Sequence, residues 1–167
     1  MQEPKYQVLC VCLGNICRSP TAEVILQQTA QREGLNIRVD SAGTSNYHPN
    51  KAPDRRSQKH AMQHGYDLST LRARQIQLED FENFDLIVAM DKDNYADIQA
   101  LKVKAQQKFG SDLPVQIALM SEHDPLYPKQ AVPDPYYGDE ADFERVISQC
   151  ESSSHAWVKY WKDKNIF

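Results

Sequence analysis

The apolar run Val8-Leu9-Cys10-Val11 passes without a break into Cys12-Leu13-Gly14-Asn15-Ile16-Cys17-Arg18-Ser19-Pro20. The run has the composition of a buried strand. Ser19 and Pro20 read as the N-cap and first residue of a helix. A strand, a tight loop and a helix start, in that order, turn the free N–H groups of the loop and first helical turn toward one point. The helix dipole adds partial positive charge there. Such a turn is an anion cradle. Cys12 stands at its mouth, where a thiol is expected to ionise readily and serve as a nucleophile. Arg18 completes a C-x5-R spacing and can offer a planar two-pronged donor to a tetrahedral oxyanion. These residue types suit attack on a phosphate monoester.

The rest of the chain alternates short apolar runs with helical stretches. Residues 6–11 read as the first strand, 20–32 as a helix and 36–40 as a second strand. A polar loop over 45–53 leads to a helix over 55–64, stopped by Gly65. Leu86-Ile87-Val88-Ala89-Met90 is continuous apolar sequence, as in a strand buried on both faces. A helix over 93–108 and a strand over 115–120 follow. Residues 121–139 carry four prolines and form a long loop, which in a compact domain is either functional or disordered. The closing helix, 142–162, places Phe143, Val146, Ile147 and Cys150 at helical spacing to pack on the sheet. Strands separated by helices predict an α/β doubly wound parallel sheet of four strands, with helices on both faces. Ligands bind such sheets at the carboxyl ends of the strands, where the Cys12 loop lies.

With 167 residues, 41% of them hydrophobic, the chain can fill one core, so residues 1–167 are expected to form a single domain. A net charge of -4 gives no electrostatic footprint for nucleic acid or an anionic membrane. No apolar run approaches the ~20 residues needed for membrane insertion. Met1-Gln2-Glu3-Pro4-Lys5 lacks an apolar signal segment, which points to the cytoplasm. Four cysteines in this chain do not resemble a secreted disulfide framework. Cys10, Cys12 and Cys17 lack the paired C-x2-C spacing of structural zinc sites and have no nearby histidine, so no metal and no cofactor are expected.

Further blocks carry a resemblance. Asp134-Pro135-Tyr136-Tyr137 lies late in the chain. Asp40-Ser41-Ala42-Gly43-Thr44, Ala73-Arg74-Gln75 and Met90-Asp91 fall between it and Cys12-x5-Arg18-Ser19. In this order the blocks resemble the low-molecular-weight protein tyrosine phosphatases, from Val8 to Tyr137, and the remaining segment looks like that family's last helix. C-x5-R alone occurs in unrelated phosphatase folds; its pairing with a distant DPYY is highly specific. The resemblance implies strand order 2-1-3-4. It implies hydrolysis of phosphotyrosine and small aryl phosphates through a phosphocysteine on Cys12, with tyrosine-phosphorylated proteins as substrates and inorganic phosphate as product. A monomer or weak homodimer is expected. The family also holds the asparagine matching Asn15 in a network that includes the serine matching Ser41. It implies that a pair such as Cys12 and Cys17 can form a reversible disulfide.

Each residue has a blander reading. Alone, Cys12 would be a strand-end cysteine packing as a small hydrophobe; beside Arg18, Ser19 and the helix start it reads as the nucleophile. Ser19 can donate its hydroxyl to a thiolate or simply cap the helix. Gly14 and Asn15 suit positive φ angles in a cradling turn, and Asn15 is either a turn residue or a side-chain lock. Asp134 is a turn aspartate or the general acid that protonates the leaving phenolate. The flanking prolines and the cradle favour the acid, which then serves as base toward water. Leu13, Tyr47, Tyr136 and Ile16 are candidate walls for a phenyl ring. Cys17 either packs the loop or pairs with Cys12. Some family members carry tryptophan at Tyr47 and histidine at Leu71.

Rival readings remain. Thiol-dependent arsenate reductases of this fold need further cysteines, and none lies between Arg74 and Asp93. Arginine phosphatases tend to carry threonine where this chain has Ile16, which crowds a guanidinium. A non-catalytic phosphate-binding module needs neither Cys12 nor Asp134.

Overall fold

A strand of Val-Leu-Cys-Val composition belongs inside a sheet, and β1 (Tyr6–Cys12) lies there. The structure, a computed structural model, describes residues 3–166; the expectation drawn from Met1 and Gln2 lies outside them. β1 pairs in parallel with β2 (Ile37–Gly43) on one side and β3 (Leu86–Ala89) on the other, and β4 (Gln116–Leu119) completes the order 2-1-3-4. Val8, Leu9, Cys10 and Val11 are wholly buried. This is the doubly wound α/β sheet that the alternation of strands and helices predicts.

The period of two in β1 splits its side chains between two cores. Val8 and Cys10 face α1 (Arg18–Arg32) and α5 (Glu140–Lys164), joining Ile25, Leu26, Val146, Ile147, Cys150, Trp157 and Trp161. Leu9 and Val11 face the other way, with Ile87, Phe81 and Ile98. That side is covered by α3 (Asp80–Asn83) and α4 (Lys92–Phe109). α2 (Arg55–Gln63) docks on α5, where the Glu144 carboxylate bridges His60 Nδ1 and His64 Nε2 at 2.7 Å each. Gly65, at φ 87°, follows α2 as the expected stop.

Several expectations are corrected. α1 begins at Arg18 with Cys17 as its N-cap, so Ser19 is not the cap. Its hydroxyl is turned instead toward Cys12 and Asn15. Pro20 falls third in the helix, still within the first turn, where its missing N–H has no partner to lose. β2 runs past Asp40 to Gly43, because Ser41, Ala42 and Gly43 stay paired with β1. The four-residue α3 is too short to leave a periodic signal. Phe143 is buried but faces α2, stacked at 5.8 Å on His60, rather than the sheet.

The proline-rich loop is anchored. Asp124 takes the Ser152 and Ser153 hydroxyls at 2.7 Å. Gln149 Nε2 donates to the carbonyls of Gln130 and Ala131, and Val132 is wholly buried. Among the described residues no helix is long and apolar enough to cross a membrane.

Candidate active site

Cys12 ends β1, and five residues separate it from Arg18, the first of α1. The Asn15 N–H donates to Cys12 Sγ at 3.2 Å, and Ser19 Oγ lies 3.1 Å from the same sulfur. Asn15 adopts φ 58°, a left-handed conformation that costs a non-glycine residue and persists where the surroundings over-determine it. They do so here. Asn15 Nδ2 donates to Ser19 Oγ at 2.8 Å and Ser41 Oγ at 3.0 Å, and Oδ1 accepts from Arg74 N at 3.0 Å. Asn15 is therefore both the turn residue and the lock, and its three partners close the network with Leu71 outside it. Ser41 Oγ in turn donates to Glu23 Oε1 at 2.6 Å. Burial pushes the Glu23 carboxyl up to about 7, against the Ser41 hydrogen bond.

Gly14 does not take a positive φ, contrary to expectation. Its lack of a side chain is used for close packing: a Cβ there would lie 3.2 Å from the His48 ring. Gly43, at the end of β2, is tighter still. A Cβ on Gly43 would meet Leu13 O at 2.6 Å and Asn15 N at 3.2 Å. The loop thus rests directly on the neighbouring strand, tied by Thr44 N–H to Cys12 O at 2.9 Å and Ser45 N–H to Leu13 O at 3.0 Å.

Arg18 is 4% exposed. Its Nη1 donates to Asp91 Oδ2 at 2.6 Å and to Val132 O at 3.1 Å. Nη2 lies 3.8 Å from Asp134 Oδ2. Burial works against the Arg18 charge, but Cys12, Asp91 and Asp134 outweigh it and raise the guanidinium pKa. The sequence marks Asp91 through the Met90-Asp91 family block, without its contact to Arg18. Asp91 caps α4 through the Asn94 N–H, and its second oxygen aims Arg18. Asp134 comes in from the proline-rich loop, and its Oδ1 accepts from Tyr136 N–H at 3.1 Å. Burial chiefly pushes the Cys17 thiol up to about 12, with a Ser57 hydrogen bond working the other way.

These groups surround one cavity of about 280 Å³. Cys12, Leu13, Gly14, Ile16, Cys17, Arg18, Tyr47, Asp134 and Tyr136 border it, as expected. Ser19, Asn15 and Ser41 stand behind it as support. His48 and Tyr137 also line it, and sequence reasoning missed them. His48 sits in the polar loop beside Tyr47; Tyr137 ends the Asp134-Pro135-Tyr136-Tyr137 block and is 95% exposed.

Comparison with known proteins matches the same span. The family model described as low molecular weight phosphotyrosine protein phosphatase matches residues 7–165. A human protein of that name is 43% identical over 155 residues, covering 91% of this chain and 93% of that one. Among solved structures, a protein tyrosine phosphatase from Entamoeba histolytica has a TM-score of 0.85 at 35% identity, covering 96% of this chain and 99% of that one. A Drosophila arginine phosphatase has a TM-score of 0.84 at 29% identity, covering 93% of this chain and 97% of that one. The sheet order, the turn after β1 and near-full-length matches agree, and the chain belongs to the low-molecular-weight phosphotyrosine protein phosphatase family.

Proposed function

We propose that the chain hydrolyses phosphotyrosine in proteins, and small aryl phosphates, in two displacements through a phosphocysteine on Cys12. The observation that carries this is the convergence of Cys12, Arg18 and Asp134 on one cavity, the first two from the turn after β1 and the third from the distant proline-rich loop. Arg18 Nη1 is engaged by Asp91 and Val132, which leaves Nε and Nη2 to clamp two phosphoryl oxygens. Loop N–H groups take the remaining charge, the neutralisation a metal would otherwise supply. The Cys12 thiolate attacks phosphorus, and Asp134 gives its proton to the departing phenolate. Asp134 then accepts a proton from water as that water attacks the phosphocysteine, releasing inorganic phosphate and the thiolate. Asn15 N–H and Ser19 Oγ both point at the sulfur and suit its charged form.

Leu13, Tyr47, Tyr136 and Ile16 form the walls. They suit a flat ring better than a solvated guanidinium, so a phenyl phosphate is favoured over the arginine phosphate of the Drosophila protein's name. Four free cysteines and a thiolate mechanism suit a reducing compartment, and we place the protein in the cytoplasm.

The test is hydrolysis by purified protein, in chelator, of matched phosphotyrosine and phosphoarginine peptides, with arsenate as competitor and Cys12→Ser as control. Phosphotyrosine turnover abolished in Cys12→Ser supports the reading. Preference for phosphoarginine, arsenate reduction, or turnover retained by Cys12→Ser overturns it.

Cys12 and Cys17 border the same cavity, which supports their pairing. Peroxide would convert the Cys12 thiolate to a sulfenic acid, and Cys17 would displace water from it to form a disulfide. Peptide mapping after mild peroxide should recover a Cys12–Cys17 disulfide that thiol reductant reverses. Irreversible over-oxidation of Cys12 with Cys17 untouched counts against it.

A further inference from the structure

Arg56 stands outside the cavity and touches neither Cys12 nor Arg18, yet its contacts are unusually determined for a residue whose side chain is 46% exposed. It lies in the first turn of α2. Its Nε and Nη2 make a two-pronged contact with Asp54, at 3.1 Å to Oδ1 and 2.9 Å to Oδ2. The guanidinium carbon sits 4.7 Å from the centre of the Phe143 ring and 5.6 Å from that of Tyr136. Held in that plane, Nη2 also donates to Tyr136 O at 2.9 Å, across 80 residues of chain.

The two ends of this contact lead to the two halves of the site. Asp54 N–H donates to Ile16 O at 2.8 Å, so one end is tied to the phosphate loop itself. At the other end, Tyr136 N–H donates to Asp134 Oδ1 at 3.1 Å. That hydrogen bond occupies Oδ1 and leaves Oδ2 as the oxygen nearer Arg18, at 3.8 Å from its Nη2. Burial opposes the Asp54 charge, but the hydrogen bonds from Arg56 outweigh it and hold the carboxyl below its usual range. An exposed ion pair within α2 alone would contribute little. A planar cation stacked on Phe143 and shared between two loops is a different object, since lysine cannot reproduce its geometry.

We propose that Arg56 is a positioning residue for the acid loop, which through Tyr136 aims Asp134 Oδ2 at the leaving oxygen relative to the phosphate loop that Asp54 holds. This rests on reading Asp134 as the general acid.

The experiment measures kcat/KM, which reports the first displacement alone, for aryl phosphates of graded phenol acidity, with Arg56→Ala and Arg56→Lys in the native and Asp134→Ala backgrounds. Misplacement by about 1 Å can cost up to about 10²-fold in rate. Arg56→Ala is expected to lose about tenfold on phosphotyrosine, with the loss shrinking as the phenol becomes more acidic. Arg56→Lys keeps the charge but cannot bridge Asp54 and Tyr136 together, so it should show the same slope at smaller amplitude. If the alanine variant does not fold, the lysine series decides alone. In the Asp134→Ala background neither substitution should cost anything further. An equal loss across the series, an undiminished loss in the Asp134→Ala background, or native kcat/KM in every folded variant overturns the proposal. If Asp134→Ala alone shows no dependence on the leaving group, the acid assignment fails as well. If it shows that dependence and the Arg56 variants do not, only the Arg56 clamp fails.

Discussion

Arg18 is oriented before substrate arrives, because Asp91 and Val132 hold one of its nitrogens in a nearly dry setting. A lysine keeps the charge but offers one point where the guanidinium offers a fork. Arg18→Lys should therefore reduce kcat by well over tenfold, more than about 1.4 kcal/mol of barrier. A smaller fall in steady-state assays removes Arg18 from the clamp role. Asp134 predicts a different signature. If it protonates the leaving oxygen, Asp134→Ala should slow phosphotyrosine hydrolysis by about 10²–10⁴-fold, and far less for phenols acidic enough to leave unaided. A rate series over graded phenols checks this, and a uniform loss would assign Asp134 to loop structure alone. Cys12 and Arg18 were legible as candidates because they share one local motif whose chemistry is short-ranged; Asp134, a turn aspartate on its local sequence, became one only beside that motif and the family resemblance. The hold of Asp91 on Arg18 was not legible, since the two lie 73 residues apart.

At the scale of elements, the phosphate-binding turn depends on the end of β2 as much as on its own sequence. Gly43 lets the turn approach so closely that a methyl group there would collide with the backbone of Leu13, Gly14 and Asn15. Gly43→Ala should cost about 1–3 kcal/mol of stability, as overpacking does, and should lower kcat by displacing Leu13 and Asn15. Gly34, with φ 72° and open space around it, supplies the comparison. Gly34→Ala strains the backbone after α1, so it should lower the melting temperature while leaving kcat unchanged. Equal kcat in the two variants would show that the turn does not lean on β2. β2 runs on to Gly43 although Ser41-Ala42-Gly43 has little strand propensity. Pairing with β1 overrides that propensity.

Over the whole molecule, burial of Glu23 couples the support of the turn to pH. Its folded value of about 7 stands above the usual value near 4.5. The folded state therefore holds a proton that the unfolded chain releases, and stability contributed below pH ~4.5 is lost as pH rises through about 7. Glu23→Gln still accepts from Ser41 but carries no charge. Its stability relative to the native chain should rise between pH 5 and pH 8, by on the order of 1–3 kcal/mol. Denaturant melts at the two pH values measure this, and a pH-independent difference would show that Glu23 does not titrate in the folded protein. Local pattern by itself determined the four strands, the four longer helices, the cradle after β1 and the candidate nucleophile and clamp, while the candidate acid needed that cradle and the family resemblance beside it. Periodicity, runs of apolar residues and the chemistry of a short loop act within a few residues. Only tertiary structure decided which side chains hold those groups in place. Asp91 aims Arg18, Arg74 locks Asn15 across 59 residues, Glu23 takes Ser41, and Arg56 reaches Tyr136 across 80. Such pairs form only when the sheet brings remote strand ends and loops to one edge, and no local pattern records which ends those are.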